Sequence, residues 1–503
     1  MLRRRRSTSA TPPAPTRWRT RTSLLAIGVA ATVSLASGIG LLAPADAATP
    51  NITVVSLTFD DSNADQVPAA QTLVDNGLRG TFFVNSGFLG AANYMTTAQV
   101  QALARAGHEI GGLTVNHPDL TTISAAEAKR QICLDRSNLS SLGLNVTDFA
   151  YPFASENASV ESIVSACGYN SARGLGDIRS RFGCPTCKYA ETIPPQNALN
   201  TAALDEVEST WTLKDLQDPI TNAASTGGWV QYTFHHLCPT GTTCADPSIP
   251  SSLYTQFVQW LGAKVKAAGS TVQVKTVAQV INKAAKPVVG ATYPAPAGPG
   301  VNAIKNPSLE TLDAATGLPK CFAKGGYGTN TPAFSTSAAA RTGTRAEQLV
   351  MSGYSNGDAK LLPTLDLGDC SPTVVPGRTY SLREWYTSTA VTQFAVYLRS
   401  QYGAWTYWTS SPWFAASSTY QQAVWTTPAV PAGTTGMSFG LNLFANGTLV
   451  TDDWSMYDSV GAPALPAAVA AKSSIAAAGK TATAKVRGGQ TRGAVQVPDG
   501  AHG

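Results

Sequence analysis

Histidine is scarce in this chain of 503 residues, which has only His108, His117, His235, His236 and His502. So few imidazoles leave little choice of nitrogen ligand for any metal. Net charge is also missing from most of the chain. Residues 1–47 hold seven arginines and one acid, and the remainder holds 29 basic against 30 acidic residues. A near-neutral body offers nucleic acid no electrostatic footing, which excludes a polyanionic partner. The C-P-T-C run at 184–187 has no second C-x-x-C nearby, which argues against a zinc knuckle. From Gly461 onward there is no aromatic residue at all, only an Ala-, Gly-, Lys- and Thr-rich stretch. Such a composition cannot offset its own ordering entropy by burial, so residues 461–503 are expected to be a disordered tail.

What is present begins with an arginine-rich start, an apolar stretch from about Leu24 to Leu42, and Ala45-Asp46-Ala47 as an A-x-A cleavage pattern. Residues 1–47 are therefore expected to be an export signal, with no other membrane association. Eight cysteines follow, and an even count in an exported protein reads as disulfides. Short loops favour Cys184–Cys187 and Cys238–Cys244, leaving Cys133–Cys167, with Cys321 and Cys370 in a second domain; other pairings stay open.

Residues 48–286 alternate strand-like and helix-like stretches, which predicts an α/β domain on a parallel sheet. Ile52–Phe59 reads as the first buried strand, Asp65–Gly77 and Thr96–Gly107 as helices, and Thr81–Val84 as the next strand. Ser124 and Glu127 have the spacing of a capping box that opens a helix to about Leu142. Residues 287–304 are a Pro/Gly-rich linker. Residues 305–460 have short alternating apolar segments between turns, as an antiparallel β-sandwich does, and they carry six of the ten tryptophans.

Chemistry concentrates at strand ends. The first strand stops in Asp60-Asp61, the segment G-H-E-I-G-G-L-T-V-N-H-P-D-L (107–120) contains His117, F-A-Y-P-F spans 149–153, and W-V-Q-Y-T-F runs into His235-His236. Sites in α/β proteins lie beyond the carboxyl ends of such strands. In order and content these motifs resemble the NodB-type polysaccharide deacetylases (carbohydrate esterase family four), over roughly residues 50–285. The resemblance implies a distorted, incomplete (β/α) barrel and a metal-dependent hydrolase that removes acetyl groups from an N-acetylated or O-acetylated polysaccharide, secreted or cell-wall associated. It implies zinc or another divalent metal on Asp61 and His117, Asp60 as general base, His235 as the acid, and the Tyr151 backbone N–H on the oxyanion. Asp177 falls near the place of a fourth-motif aspartate.

Two departures stand out. Leu113 occupies the position of the family's first motif histidine, and an isobutyl group cannot donate to a metal. Ala150 stands where many relatives have an arginine beside the base; Arg173 is a candidate substitute. A weak metal site, a different metal, or a glycan-binding protein that does not cleave all remain open on these grounds. The sandwich behind its linker resembles a carbohydrate-binding module, with Trp405, Tyr407 and Trp408 as the expected binding face and Glu310 with Asp452-Asp453 as ligands for a structural calcium. The sequence is silent on oligomeric state.

Overall fold

The computed structural model describes residues 51–239 and 241–465, together with the backbone of 495–496. The expected export signal and most of the expected tail lie outside the described residues.

The first strand, β1 (Thr53–Phe59), is buried along its whole length. A central parallel strand is covered on both faces, so β1 carries no charged residue, and its buried Ser56 and Thr58 hydroxyls donate to the carbonyls of Lys275 and Tyr232 at 2.7 Å each. The chain continues through α1 (Gln66–Asp75), β2 (Thr81–Val84), α2 (Thr97–Arg105), β3 (Glu109–Gly112), α3 (Ala125–Ser141), β4 (Asp148–Ala150), α4 (Ala158–Ala166) and β5 (Ser171–Arg173). After a long irregular segment come α5 (Leu213–Ala223), β6 (Gly228–Phe234), β7 (His236–Cys238), β8 (Ser248–Pro250), α6 (Ser251–Lys266), β9 (Val272–Val274) and α7 (Val277–Ile281). The main sheet runs β5-β4-β3-β2-β1-β6, with β9 added on β1, and every pairing in it is parallel. It is a curled half-barrel open between β5 and β6, as the resemblance implied.

Local signals explain the element boundaries. Thr96 and Gln99 form a reciprocal capping box at the start of α2, and the Ser124 hydroxyl accepts the Glu127 N–H at 3.1 Å to open α3. Sequence reading passed over α5, because Pro219 lies inside it; the Thr212–Asp215 capping box was the signal that marks its start. Four disulfides form: Cys133–Cys167, Cys184–Cys187, Cys238–Cys244 and Cys321–Cys370. The first ties α3 to the residue that ends α4.

His108, just before β3, is a structural residue. Its Nδ1 accepts the Gly80 N–H at 3.1 Å and its ring stands edge-on to Phe82. Burial, with Arg79 nearby, pushes its pKa down from 6.5 to about 4. Between those two values the unfolded chain takes up a proton that the folded chain refuses, so this contribution to stability is intact above pH 6.5 and is lost as the pH falls toward 4. His108→Asn, whose amide oxygen can still accept from Gly80, is expected to lose on the order of 2 kcal/mol less than the wild type between neutral and acidic pH. Urea unfolding at both pH values measures the difference.

The second domain contains β10 (Phe322–Tyr327), β11 (Thr331–Ser337), β12 (Ala346–Ser352), β13 (Asp358–Pro363), β14 (Tyr380–Ser388), β15 (Phe394–Ser400), β16 (Trp405–Ser410), β17 (Ser417–Thr426), β18 (Thr434–Leu443) and β19 (Gly447–Asp458). They form two antiparallel sheets, β10-β13-β18-β15-β16 and β11-β12-β19-β14-β17, around a shared core that includes Leu382, Phe439, Trp454 and Met456. Within the stretch expected to be disordered, β20 (Val495–Gln496) pairs with Trp405 and Thr406 on the free edge of β16.

The Pro/Gly-rich connection has no regular structure, yet it is fastened at its start and again at Tyr293. The buried Arg136 guanidinium donates to the carbonyls of Lys286 and Pro287 at 2.8 Å each. Tyr293 lies under the Arg399 guanidinium, 4.3 Å from its ring centre.

Candidate active site

The carboxyl end of β1 builds the site. The Asp60 N–H still donates to the Phe234 carbonyl at 3.0 Å, as if the strand continued beside β6. The chain then turns sharply, with φ of 72° at Asp61 and 64° at Ser62. L-residues seldom adopt that conformation, and such strain gathers at functional sites. The turn sends the two adjacent carboxylates to different partners.

Asp60 Oδ2 pairs with Arg173 Nη2 at the end of β5, and Arg173 Nη1 also donates to Thr233 Oγ1 at 2.9 Å. Arg173 is only 2% exposed and lies over the Phe83 ring. It supplies the cation missing at Ala150. The other oxygen, Asp60 Oδ1, is buried and has no hydrogen-bond partner among the described residues. Such an orphaned acceptor is what a proton-bearing substrate or water would satisfy.

Asp61 Oδ1 faces His117 Nε2 at 3.2 Å. Burial, and then the Asp60 charge, push the Asp61 carboxyl up to about 7. His117 follows β3 in a loop with φ of 70° at Thr114 and 55° at His117, where the His117 N–H donates to Thr114 Oγ1 at 2.9 Å. Its ring meets that of the exposed Phe153 edge-on, at 4.7 Å. Asp61 and His117, fifty-six positions apart, thus converge as the motifs implied.

His235 continues directly from β6 and is 7% exposed. Its carbonyl accepts from Asn63 Nδ2 at 3.2 Å and Gln66 Nε2 at 2.6 Å, which fixes the backbone beside Asp60. Nδ1 faces Glu206 Oε2 at 3.5 Å. Burial lowers its pKa to about 4, against the opposing pull of Asp60. His236 points the other way, pairs with Asp65 at 2.9 Å and is partly exposed, and that hydrogen bond raises its pKa. Alternation along the strand separates the two rings.

Several expected roles meet a different geometry. The Tyr151 N–H donates to the Arg173 carbonyl at 3.3 Å and its hydroxyl to the Leu199 carbonyl at 2.6 Å, so the N–H expected on an oxyanion is engaged in pairing beside β5. Asp177 is an exposed loop acid, and the carboxylate beside His235 is Glu206. Glu206 comes from the irregular segment before α5, and a single parallel bridge to Thr233 places it. No periodicity marks it in the sequence.

The second domain corrects the proposed sugar face. Trp405 is fully buried, packed with Ala395 and Tyr397, and Trp408 points into the sandwich core. Tyr407 is half-buried, with its hydroxyl bonded to Ser410 at 2.8 Å. Alternation on β16 sends the two tryptophans to opposite sides, and both sides are covered. The expected calcium ligands clasp a loop instead. Glu310 accepts the Thr344 and Arg345 N–H groups at 2.8 and 3.0 Å, and Asp452 accepts those of Arg341 and Thr342 at 2.7 and 3.1 Å. Asp453 takes the Arg341 guanidinium and the Thr342 hydroxyl, both at 2.6 Å. Donors surround these carboxylates, which leaves a cation no place among them.

For a catalytic metal the donor set is one short. A catalytic zinc normally takes three protein ligands, and Asp61 and His117 supply two. Leu113 is 1% exposed in an apolar cluster with Phe83 and Ala150. Among the described residues, no group of three His, Cys, Asp or Glu side chains is placed to hold a metal ion. The residues present do not fit a tightly held zinc.

A parallel half-barrel thus gathers an acid pair, an arginine and two histidines at its strand ends. Residues 47–172 match the family model described as polysaccharide deacetylase, so this part of the chain is similar to that family. A chitin deacetylase of Pestalotiopsis sp. is 35% identical over 122 residues, which is 23% of this chain and 39% of that protein. A gellan lyase of Bacillus sp. is 27% identical over 199 residues, 38% of this chain and 8% of that one. The chain thus spans well under half the length of either relative. Among solved structures, a family 4 carbohydrate esterase from Streptomyces lividans in complex with acetate aligns over 48% of this chain and 100% of its own, at 17% identity and a TM-score of 0.31. No described helix is long and apolar enough to cross a membrane.

Proposed function

We propose that this protein is an exported hydrolase that removes acetyl groups from an acetylated polysaccharide. The observation that carries the reading is Asp60, clamped by Arg173 and flanked by His235 and Glu206 at the strand ends. Asp60 takes a proton from the attacking water, and Arg173 keeps the carboxylate aimed. His235, within electrostatic reach of Asp60, receives a proton and passes it to the departing nitrogen or oxygen. Its low pKa makes the protonated ring a ready donor. Glu206, with Oε2 3.5 Å from the imidazole Nδ1, favours the charged form during transfer. The 35% identity to a chitin deacetylase supports an N-acetylated polymer as substrate. Four disulfides support an extracellular or cell-wall location. Domain boundaries at 48–286, 287–304 and 305–460 are part of this proposal, and the order of half-barrel, irregular connection and sandwich supports them.

The metal of the resembled family, zinc or another divalent ion, would meet Asp61 and His117 and, among the described residues, no third side chain. A second reading follows from Leu113: a relative that binds polysaccharide without cleaving it.

Acetate release from chitin oligomers, peptidoglycan and acetylated xylan separates the readings. The wild type is expected to release acetate from at least one polymer, and Asp60→Asn to lose ~10²–10⁴-fold in rate. A wild type that binds these polymers and releases no acetate establishes the second reading.

A further inference from the structure

The loop that carries His117 is braced from outside its own domain. Its inner supports come from α3, where the Val115 N–H donates to the Gln131 carbonyl at 3.1 Å and the Asn116 N–H to Gln131 Oε1 at 2.9 Å. Its outer supports come from the sandwich. Val115 is fully buried in a cluster with Leu134 of α3 and Leu367, which follows β13, and Ala291 and Tyr293 of the connection pack on it. Asn116 Nδ2 donates to the Gly403 carbonyl at 3.4 Å. Gly403 approaches so closely that a Cβ there would lie 2.7 Å from Val115 Cγ1.

A buried polar chain links the same surfaces. The Leu367 N–H donates to Glu127 Oε1 at 2.7 Å, Gln131 Nε2 donates to that oxygen at 3.0 Å, and the same Nε2 reaches Asn116 Oδ1 at 3.2 Å. Arg130 joins Glu127 to Asp369 of the sandwich, at 2.9 and 2.8 Å. The described residues of the half-barrel, the connection and the sandwich belong to one compact unit.

We propose that the sandwich is a wall of the active site and not a tethered module: its 367–369 and 402–403 segments hold Val115 and Asn116, and through them set where His117 meets Asp61. Val115, Asn116, Leu367 and Gly403 are positioning residues. Left-handed backbone at His117 stores strain that its own loop must otherwise hold, and a packed, hydrogen-bonded neighbour is what over-determines such a conformation. Only the catalytic consequence rests on the deacetylase reading; the bracing itself does not.

The test is amide hydrogen exchange on the full chain, which reports local opening segment by segment, with the His117 imidazole ¹⁵N shifts as a second readout. Gly403→Ala drives a methyl into Val115. Gly377→Ala is its control, since Gly377 has a similar φ (+83° against +88°) but open space around its Cβ position. Gly403→Ala is expected to speed exchange at the amides of 113–117 at least ~10-fold and to shift the His117 signals, with Gly377→Ala leaving both as in the wild type. Leu367→Ala, which removes the contact without adding bulk, is expected to loosen the same amides, and it decides the matter should Gly403→Ala unfold the sandwich. Wild-type exchange at 113–117 in Leu367→Ala overturns the proposal, as does equal loosening by Gly377→Ala and Gly403→Ala. Neither readout depends on acetate release, so failure here is distinct from failure of the hydrolase reading.

Discussion

Leu113→His is expected to raise zinc affinity by at least about 100-fold and to increase acetate release by a similar factor at limiting zinc. The scale follows from outer-shell changes alone, which cost ~10–100-fold in affinity; a missing ligand costs more. Leu113 lies in an apolar cluster with Phe83 and Ala150, four positions before His117. An unpaired imidazole placed there costs ~1–3 kcal/mol. The variant should therefore melt below the wild type in chelator and above it with zinc, because metal binding to the folded state alone raises stability. A competition titration with a chromophoric chelator, beside the two melting curves, checks both signs. Unchanged affinity and no zinc-dependent rise in melting temperature would remove Leu113 as the missing donor.

The second large effect is expected at Arg173. Removing one member of a buried ion pair leaves its partner uncompensated, at a cost of ~3–5 kcal/mol. Arg173→Ala strands Asp60, whose second oxygen already lacks a partner among the described residues. It also breaks the bond to Thr233 that links β5 and β6 across the open side of the half-barrel. Unfolding in urea should show the full loss at neutral pH. Adding Asp60→Asn should recover a large part of the stability while acetate release stays at background. That split between stability and activity is the signature of a charge pair whose acid does the chemistry. A purely structural arginine would leave Arg173→Ala destabilised equally in either background.

The legible and illegible parts of this chain divide along the range of the interactions concerned. β1 could be read because a central parallel strand, covered on both faces, leaves a short uncharged run of β-branched and apolar residues. Asp60, Asp61 and His117 could be read because strand ends and turns are written locally. Arg173 could be named but not assigned, since its bond to Asp60 spans 113 positions and depends on how β5 curls toward β1. Glu206 was invisible, being placed by one bridge to Thr233 in a segment without periodicity. The tryptophans of β16 misled because alternation shows which side a ring takes but not what covers that side. The same limit hid the sandwich's contact with Val115 and Asn116. A proline- and glycine-rich connection reads as a flexible tether, whereas here Arg136 fastens its start and Arg399 holds Tyr293.

The central claim is that the acid–base apparatus around Asp60 is complete while the metal position beside it has two donors. Equilibrium dialysis of the purified wild-type chain against zinc, followed by metal analysis, tests this most directly. The account predicts that zinc is lost on dialysis into metal-free buffer and returns only at concentrations far above those that saturate Leu113→His. One zinc per chain surviving that dialysis, and abolished by His117→Ala, would contradict it.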